Sequence, residues 1–189
     1  MTSIFYIRHA EPDWTVHDDQ SRPLTAKGLK DCQLVTEFLQ DKNISVVLSS
    51  PYKRAVDTVS PFAKGRGLDV QLIEDFRERA ISSVWIDDFA EFVSKQWEDF
   101  SYKLADGESL GEVQRRNVAA LKEAVRQYKD KNIVIGGHGT ALSTLINYYD
   151  DTYGHKEFET MGRIFPWVVR MDFDDNGFVK MEKINLFDA

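Results

Sequence analysis

The residues in this sequence that could do chemistry stand where short apolar runs end. Arg8 and His9 come directly after the β-branched and aromatic run Ser3–Ile7. A histidine can act as a nucleophile or a general acid, and an arginine binds anions. A single histidine at the end of a strand is more often a hydrogen-bonded structural residue, so this pair alone indicates little.

Two further segments place the same kinds of side chain at two other run ends. Arg54 follows the Ser-Ser-Pro turn at 49–51, where a helical pattern begins. A helix N-terminus favours an anion, and a guanidinium group offers two parallel donors to phosphate oxygens. His138 stands among glycines after the third run, and those glycines leave room for a ligand. The carboxyl ends of parallel strands meet at one edge of a sheet, so we expect these side chains to converge there.

The apolar runs and the segments between them predict an α/β fold. Runs at 3–7, 45–48 and 132–135 are typical of buried strands, whereas 25–40 and 50–64 carry apolar residues at helical spacing. Alternating strands and helices predict a mostly parallel central sheet with helices on both faces, which is a three-layer α/β/α architecture.

The remainder of the chain predicts two additions to that sheet. Residues 80–106 are rich in aromatic and acidic side chains and are predicted to form a helical lid. Residues 168–173 and 178–184 flank an Asp-Asp-Asn-Gly turn, a composition that predicts a C-terminal β-hairpin. We expect a single domain over residues 1–189, of which the lid is an insertion.

The composition excludes several classes of partner. The 189 residues are 42% hydrophobic, enough for one ordinary core. The net charge of −7 provides no basic patch for a nucleic acid, and no apolar run is long enough to cross a bilayer. The single cysteine, Cys32, cannot form an internal disulfide, and no secretory signal is visible. We therefore expect a cytoplasmic protein without nucleic-acid or membrane partners.

Taken together, these segments resemble the histidine phosphatase superfamily, also called the phosphoglycerate-mutase-like family. The Arg-His-Gly signature of the family appears at 8–10, its Ser-Pro-x-x-Arg-Ala-x-x-Thr segment at 50–58, and its second His-Gly at 138–139. Residues 23–28 and 107–109 also resemble family segments. The order and spacing agree over nearly the whole chain.

The resemblance implies a phosphoryl transfer in two steps that needs no metal or cofactor. Neutral His9 attacks phosphorus in line and becomes a transient phosphohistidine, which water then hydrolyses. Arg8, Arg54 and a protonated His138 bind the phosphoryl oxygens. The other ring nitrogen of His9 needs an acceptor, for which a backbone carbonyl is expected. The implied substrate is a small-molecule phosphate ester.

The resemblance also suggests an acid and a further phosphate ligand. Residues 76–79 resemble the family's acid loop, which makes Glu78 the predicted general acid. Thr15 stands where the family often has a phosphate-binding Asn, and its hydroxyl can also donate. Ala10 replaces the usual glycine, and the segment 80–85 lacks the family's glycine after the acid. We therefore expect a differently shaped acid loop.

Three interpretations of the function remain open from the sequence. Residues 80–106 contain no arginine, whereas the mutase branch uses extra arginines there, and six acids against two lysines would repel a polyanion. Phosphomonoester hydrolysis is thus favoured over a phosphoglycerate-type mutase. The third interpretation is a phosphate-binding or regulatory module with weak turnover, suggested by Ala10 and the altered acid loop. The lid aromatics either favour an apolar or ring-bearing alcohol as the leaving group or form the lid's own core. The oligomeric state is left open, a homodimer included.

Overall fold

The computed structural model describes residues 1–83 and 86–188, and within them six strands form one sheet. In chain order the strands are β1 (Thr2–Arg8), β2 (Ile44–Ser49), β3 (Val70–Leu72), β4 (Asn132–Gly137), β5 (Trp167–Asp174) and β6 (Gly177–Ile184). Their order across the sheet is β3-β2-β4-β1-β5-β6. The first four strands are mutually parallel, and β5 and β6 are antiparallel additions. This confirms the mostly parallel sheet and the C-terminal hairpin.

Six α-helices in the described residues complete the layers. They are α1 (Ala26–Leu39), α2 (Lys53–Arg66), α3 (Phe89–Glu98), α4 (Leu110–Gln127), α5 (Gly139–Tyr149) and α6 (His155–Met161), with a 3₁₀ turn at Glu74–Phe76. Strand β1 alternates between two cores: Ile7 packs with Phe62 of α2, and Tyr6 packs with Leu142 of α5. Helices therefore cover both faces, as the alternating pattern predicts. None of the helices in these described ranges is long and apolar enough to cross a membrane.

The register of the parallel strands brings three strand ends to one place. Arg8 at the end of β1 pairs with Gly137 at the end of β4, and Ser49 at the end of β2 pairs with Gly136. The pairing continues one residue beyond the strands, because His9 N–H donates to Gly137 O at 3.0 Å. On the other side, Ser50 N–H donates to Gly136 O at 2.8 Å. The three motifs are thereby held side by side.

The predicted lid contains less helix than expected. Within residues 80–106 the structure has one helix, α3, and irregular chain on either side of it; residues 84 and 85 lie outside the described residues. Trp97 of this segment contacts Phe100 at 5.5 Å between ring centroids, and it also contacts Tyr153 and Phe158 outside the lid. These contacts favour the interpretation that the lid aromatics form a core beneath the lid.

Candidate active site

His9 is buried at the end of β1, and both of its ring nitrogens have a partner. Nδ1 lies 2.7 Å from the carbonyl oxygen of Ala10, which can only accept, so Nδ1 carries the proton. Nε2 then keeps its lone pair and accepts a hydrogen bond from Nε of Arg54 at 3.2 Å. The backbone carbonyl expected from the sequence is thus present, and it orients Nε2 toward the arginine.

Burial favours the neutral form of the His9 imidazole. Loss of solvent is the largest cause that lowers the pKa of His9 well below its ordinary value of 6.5, and the positive charges of Arg54 and Arg8 lower it further. A nucleophilic imidazole must be unprotonated at the attacking nitrogen. The environment therefore favours the form that the chemistry requires.

Arg54 lies in the first turn of α2 and is almost completely buried. Besides its contact with His9, Nη1 donates to the carbonyl oxygen of Asp19, and Nη2 lies 3.2 Å from Oδ1 of the same aspartate. The Asp19 carboxylate also pairs with Arg22 at 2.8 Å. Asp19 is a residue that the sequence analysis missed, since it lies in a polar loop without any periodicity.

Arg8 directs its guanidinium group toward the chain before β5. Nη1 donates to the carbonyl oxygens of Met161 at 2.6 Å and Ile164 at 2.9 Å, and the group stacks on the ring of Phe165 at 3.6 Å. Its Nε is buried without a hydrogen-bond partner among the described residues. A Cβ at Gly139 would lie only 3.0 Å from that Nε, so the glycine after His138 gives the arginine its space.

His138 precedes α5 and is fully buried beside His9, with 5.3 Å between the ring centroids. Nε2 lies 2.8 Å from Oγ of Ser50, while Nδ1 has no partner within the described ranges. Burial is the main cause that lowers the pKa of His138 well below 6.5, and the charge of Arg54 adds to it. These causes favour the neutral ring, so the protonated His138 expected for phosphate binding stays a prediction.

Glu78 belongs to the segment after the 3₁₀ turn, and its carboxylate lies at the beginning of α5. Its Oε2 accepts from the backbone N–H of Thr140 at 3.1 Å, and its Oε1 accepts from that of Ala141 at 3.2 Å. These are the free N–H groups of the first turn of α5, which begins directly after His138. A carboxylate is thereby held close to the second histidine, and its role as the general acid stays a prediction.

Two other predicted features have different surroundings. Thr15 is exposed, and its hydroxyl donates to Oδ1 of Asp13 at 2.7 Å, so its role as a phosphate ligand stays a prediction. Ala10 is buried in a small apolar cluster with Leu24 and Cys32, which accommodates its Cβ. Its N–H donates to Oγ1 of Thr58 at 3.0 Å and is therefore occupied within the protein.

The acid loop depends on one residue that the sequence analysis missed. Arg116 of α4 forms two 2.8 Å hydrogen bonds with the carboxylate of Glu108 and also donates to three backbone carbonyls of residues 75–78. The available signal was its distance in sequence from Glu108, which stands in the segment at 107–109 that resembles the family. Arg116 follows that glutamate by about two helical turns.

Comparisons with known proteins show the family of this chain. Residues 4–183 match the family model of the Histidine phosphatase superfamily (branch 1). Among curated relatives, the uncharacterized phosphatase PhoE of Bacillus subtilis is 26% identical over 155 residues, 77% of this chain and 76% of that protein. The probable phosphoglycerate mutase GpmB of Salmonella arizonae is 26% identical over 160 residues, 78% and 74% of the two chains.

A solved structure shows the same fold. It is a phosphoserine phosphatase mutant from Entamoeba histolytica in complex with phosphoserine, which aligns with a TM-score of 0.79 at 22% identity and covers 98% of this chain and 97% of that one. The match of the family model extends over nearly all of the sequence. This chain belongs to the histidine phosphatase superfamily, branch 1.

Proposed function

We propose that this protein is a metal-independent phosphomonoester hydrolase that works through a phosphohistidine on His9. The observation that carries the proposal is the geometry of that imidazole: its Nδ1 proton is fixed on a carbonyl oxygen, and its Nε2 lone pair is directed at a buried arginine. Burial also lowers the pKa of His9, which favours the neutral ring. An arginine beside the lone pair is a ready partner for the oxygens of an incoming phosphate.

In the proposed first step, the Nε2 lone pair of His9 forms a bond to phosphorus as the bond to the ester oxygen breaks. The leaving alkoxide takes a proton from Glu78. In the second step water attacks phosphorus, the Glu78 carboxylate takes its proton, and the N–P bond breaks to return the lone pair to Nε2. Arg8 and Arg54 offset the charge of the phosphoryl oxygens throughout, and His138 donates a hydrogen bond to one of them.

The arginines near the acid loop favour hydrolysis over mutase chemistry. A phosphoglycerate-type mutase must hold a carboxylate and a second phosphate. Arg77 and Arg116 both bind Glu108, and the guanidinium of Arg79 donates to Gln96 inside the lid. A second anion would have to displace the Glu108 carboxylate from Arg77 and Arg116, so the gain in binding free energy would be small. The relatives called probable phosphoglycerate mutases keep the mutase as the second candidate.

We place the enzyme in the cytoplasm, with a small-molecule phosphate ester as substrate and neither nucleic acid nor membrane as partner. The support is the net charge of −7 and the single cysteine, which is buried.

The test is hydrolysis of 4-nitrophenyl phosphate and a panel of metabolite monophosphates in the presence of a chelator. We compare the wild type with His9→Ala and with His155→Ala, a control on α6 whose ring lies 3.8 Å from the carboxylate of Glu159 one turn further along the helix. Turnover by the wild type and the control, lost in His9→Ala, supports the proposal. No hydrolysis of any ester, with isomerisation of phosphoglycerate in its place, would establish the mutase.

A further inference from the structure

The main chain that carries Glu78 has little regular structure to hold it in place. Residues 77–80 lie between the 3₁₀ turn Glu74–Phe76 and the lid, and they form neither helix nor strand. A carboxyl group that must transfer a proton to a leaving oxygen has to stay within hydrogen-bond reach of it. Something outside this segment must therefore fix its path.

Arg116 supplies that restraint with all five of its N–H donors. Nη1 donates to the carbonyl oxygens of Asp75 and Arg77, both at 2.8 Å. Nη2 donates to the carbonyl oxygen of Glu78 itself at 3.1 Å and to Oε2 of Glu108 at 2.8 Å, and Nε donates to Oε1 of Glu108 at 2.8 Å. One guanidinium group thus binds three carbonyls of residues 75–78 at once.

Glu108 orients that guanidinium group and closes the loop on its other side. The two parallel hydrogen bonds between the carboxylate and Arg116 fix the plane of the fork. Oε2 of Glu108 also accepts from the backbone N–H of Ala80 at 3.0 Å, and the N–H of Glu108 donates to Ala80 O at 2.7 Å. The chain is therefore held both at and after Glu78 by one ion pair that is largely buried.

We propose that Arg116, oriented by Glu108, is a positioning residue for proton transfer by Glu78. The inference rests on the function proposed above, in which Glu78 protonates the leaving oxygen. Only a planar guanidinium can serve a carboxylate and three carbonyls from one position, because an ammonium group has three donors and no fixed fork. Arg116→Lys keeps the charge and much of the side-chain length but removes this geometry.

The experiment uses the dependence of the rate on the leaving group. A 4-nitrophenyl ester releases a stable anion that needs no proton, whereas an alkyl phosphate releases an alkoxide that does. We compare kcat/KM on both esters, since this constant reports the steps through the first transfer to His9. The four proteins are the wild type, Glu78→Gln as the reference, Arg116→Lys, and Arg115→Lys as a control at the exposed neighbouring position.

We expect Arg116→Lys to lower kcat/KM on the alkyl ester about 10- to 100-fold, part of the 10²- to 10⁴-fold that a general acid supplies, with less than about a threefold change on the aryl ester. Glu78→Gln should show the same pattern more strongly, and Arg115→Lys should match the wild type. An equal loss on both esters, no loss, or no leaving-group dependence in Glu78→Gln would each overturn the inference.

Two further measurements separate this inference from its alternatives. Thermal unfolding of each variant shows whether it is folded, and if Arg116→Lys is not, Glu108→Gln replaces it, with the same selective loss on the alkyl ester expected. Failure of the wild type to hydrolyse either ester would refute the proposed function itself. Wild-type turnover combined with a uniform loss in the variant would refute only the role of Arg116.

Discussion

Thr58 links the nucleophile to the helix that carries Arg54 through a single buried hydroxyl. Its Oγ1 accepts from the N–H of Ala10 at 3.0 Å and donates to the carbonyl oxygen of Arg54 at 2.7 Å. The residue is fully buried, so no water can replace either bond. Thr58→Val keeps the shape of the side chain and removes the hydroxyl.

The expected cost of Thr58→Val follows from the N–H group that it leaves behind. A buried donor without an acceptor costs about 1–3 kcal/mol, and we take about 2 kcal/mol for Ala10. For a domain of this size each kcal/mol lowers the melting temperature by about 2–4 °C, so Tm should fall by about 4–8 °C. The peptide that loses its anchor also carries the carbonyl that holds Nδ1 of His9. We therefore expect kcat/KM to fall by about tenfold or more, because small displacements of a reacting group are costly.

The assay is thermal unfolding and hydrolysis of an aryl phosphate by Thr58→Val, with Thr58→Ser as the matched control. The serine keeps the hydroxyl and loses only a methyl group, so it should retain most of the activity. If the valine variant is as stable and as active as the serine variant, the hydroxyl does not hold the peptide after His9 and this reasoning is refuted.

Two further predictions concern the ionisable groups of the site. The unfolded chain takes up protons on His9 and His138 as the pH falls below about 6.5, whereas burial keeps the folded rings neutral. The free energy of unfolding should therefore be unaffected by these groups above that pH and fall below it, by up to about 1.4 kcal/mol per pH unit for each histidine. Urea unfolding at several pH values between 5 and 7.5 should show that the free energy of unfolding falls less steeply toward low pH in His9→Asn than in the wild type. A wild-type free energy of unfolding that does not change over this range would contradict the argument. Asp19→Asn removes a negative charge from Arg54 but keeps an acceptor oxygen, so inorganic phosphate should inhibit about two- to fivefold more strongly. Asp18→Asn, which changes the charge by the same amount, is the control. Equal inhibition constants in both variants would show that the Asp19 carboxylate does not compete with phosphate for Arg54.

The parts of the fold that the sequence predicts are those with strong local patterns. The apolar runs at 3–7, 45–48 and 132–135 all lie within strands, because fully buried parallel strands are apolar along their whole length. Strand β3 was missed, since it has three residues, lies at an edge and is largely exposed. Helix α6 has only seven residues, too few for a periodic pattern to be visible.

The residues of the candidate site likewise include some that the sequence predicts and some that it does not. Arg54 and His138 stand in motifs whose glycines, serines and proline are informative by themselves. Asp19 and Arg116 act through contacts with residues 35 to 41 positions away, and such contacts exist only after the chain has folded. The neighbours of His138 in sequence do not reveal that it is fully buried beside a cationic arginine, which lowers its pKa.

The arginines of this site already hold protein oxygens, so a phosphate would bind by exchange. For Arg8 the oxygens replaced are neutral carbonyls, and charged phosphate oxygens are stronger acceptors. For Arg54 one of them is the Asp19 carboxylate, so the gain on exchange is smaller. The Nε–H of Arg54, however, donates a hydrogen bond to the Nε2 lone pair of His9, and a phosphate oxygen is a better acceptor than a neutral imidazole. Binding of the phosphate would therefore draw this donor away from Nε2 and leave the lone pair free to attack, so that Arg54 couples recognition of the substrate to activation of the nucleophile.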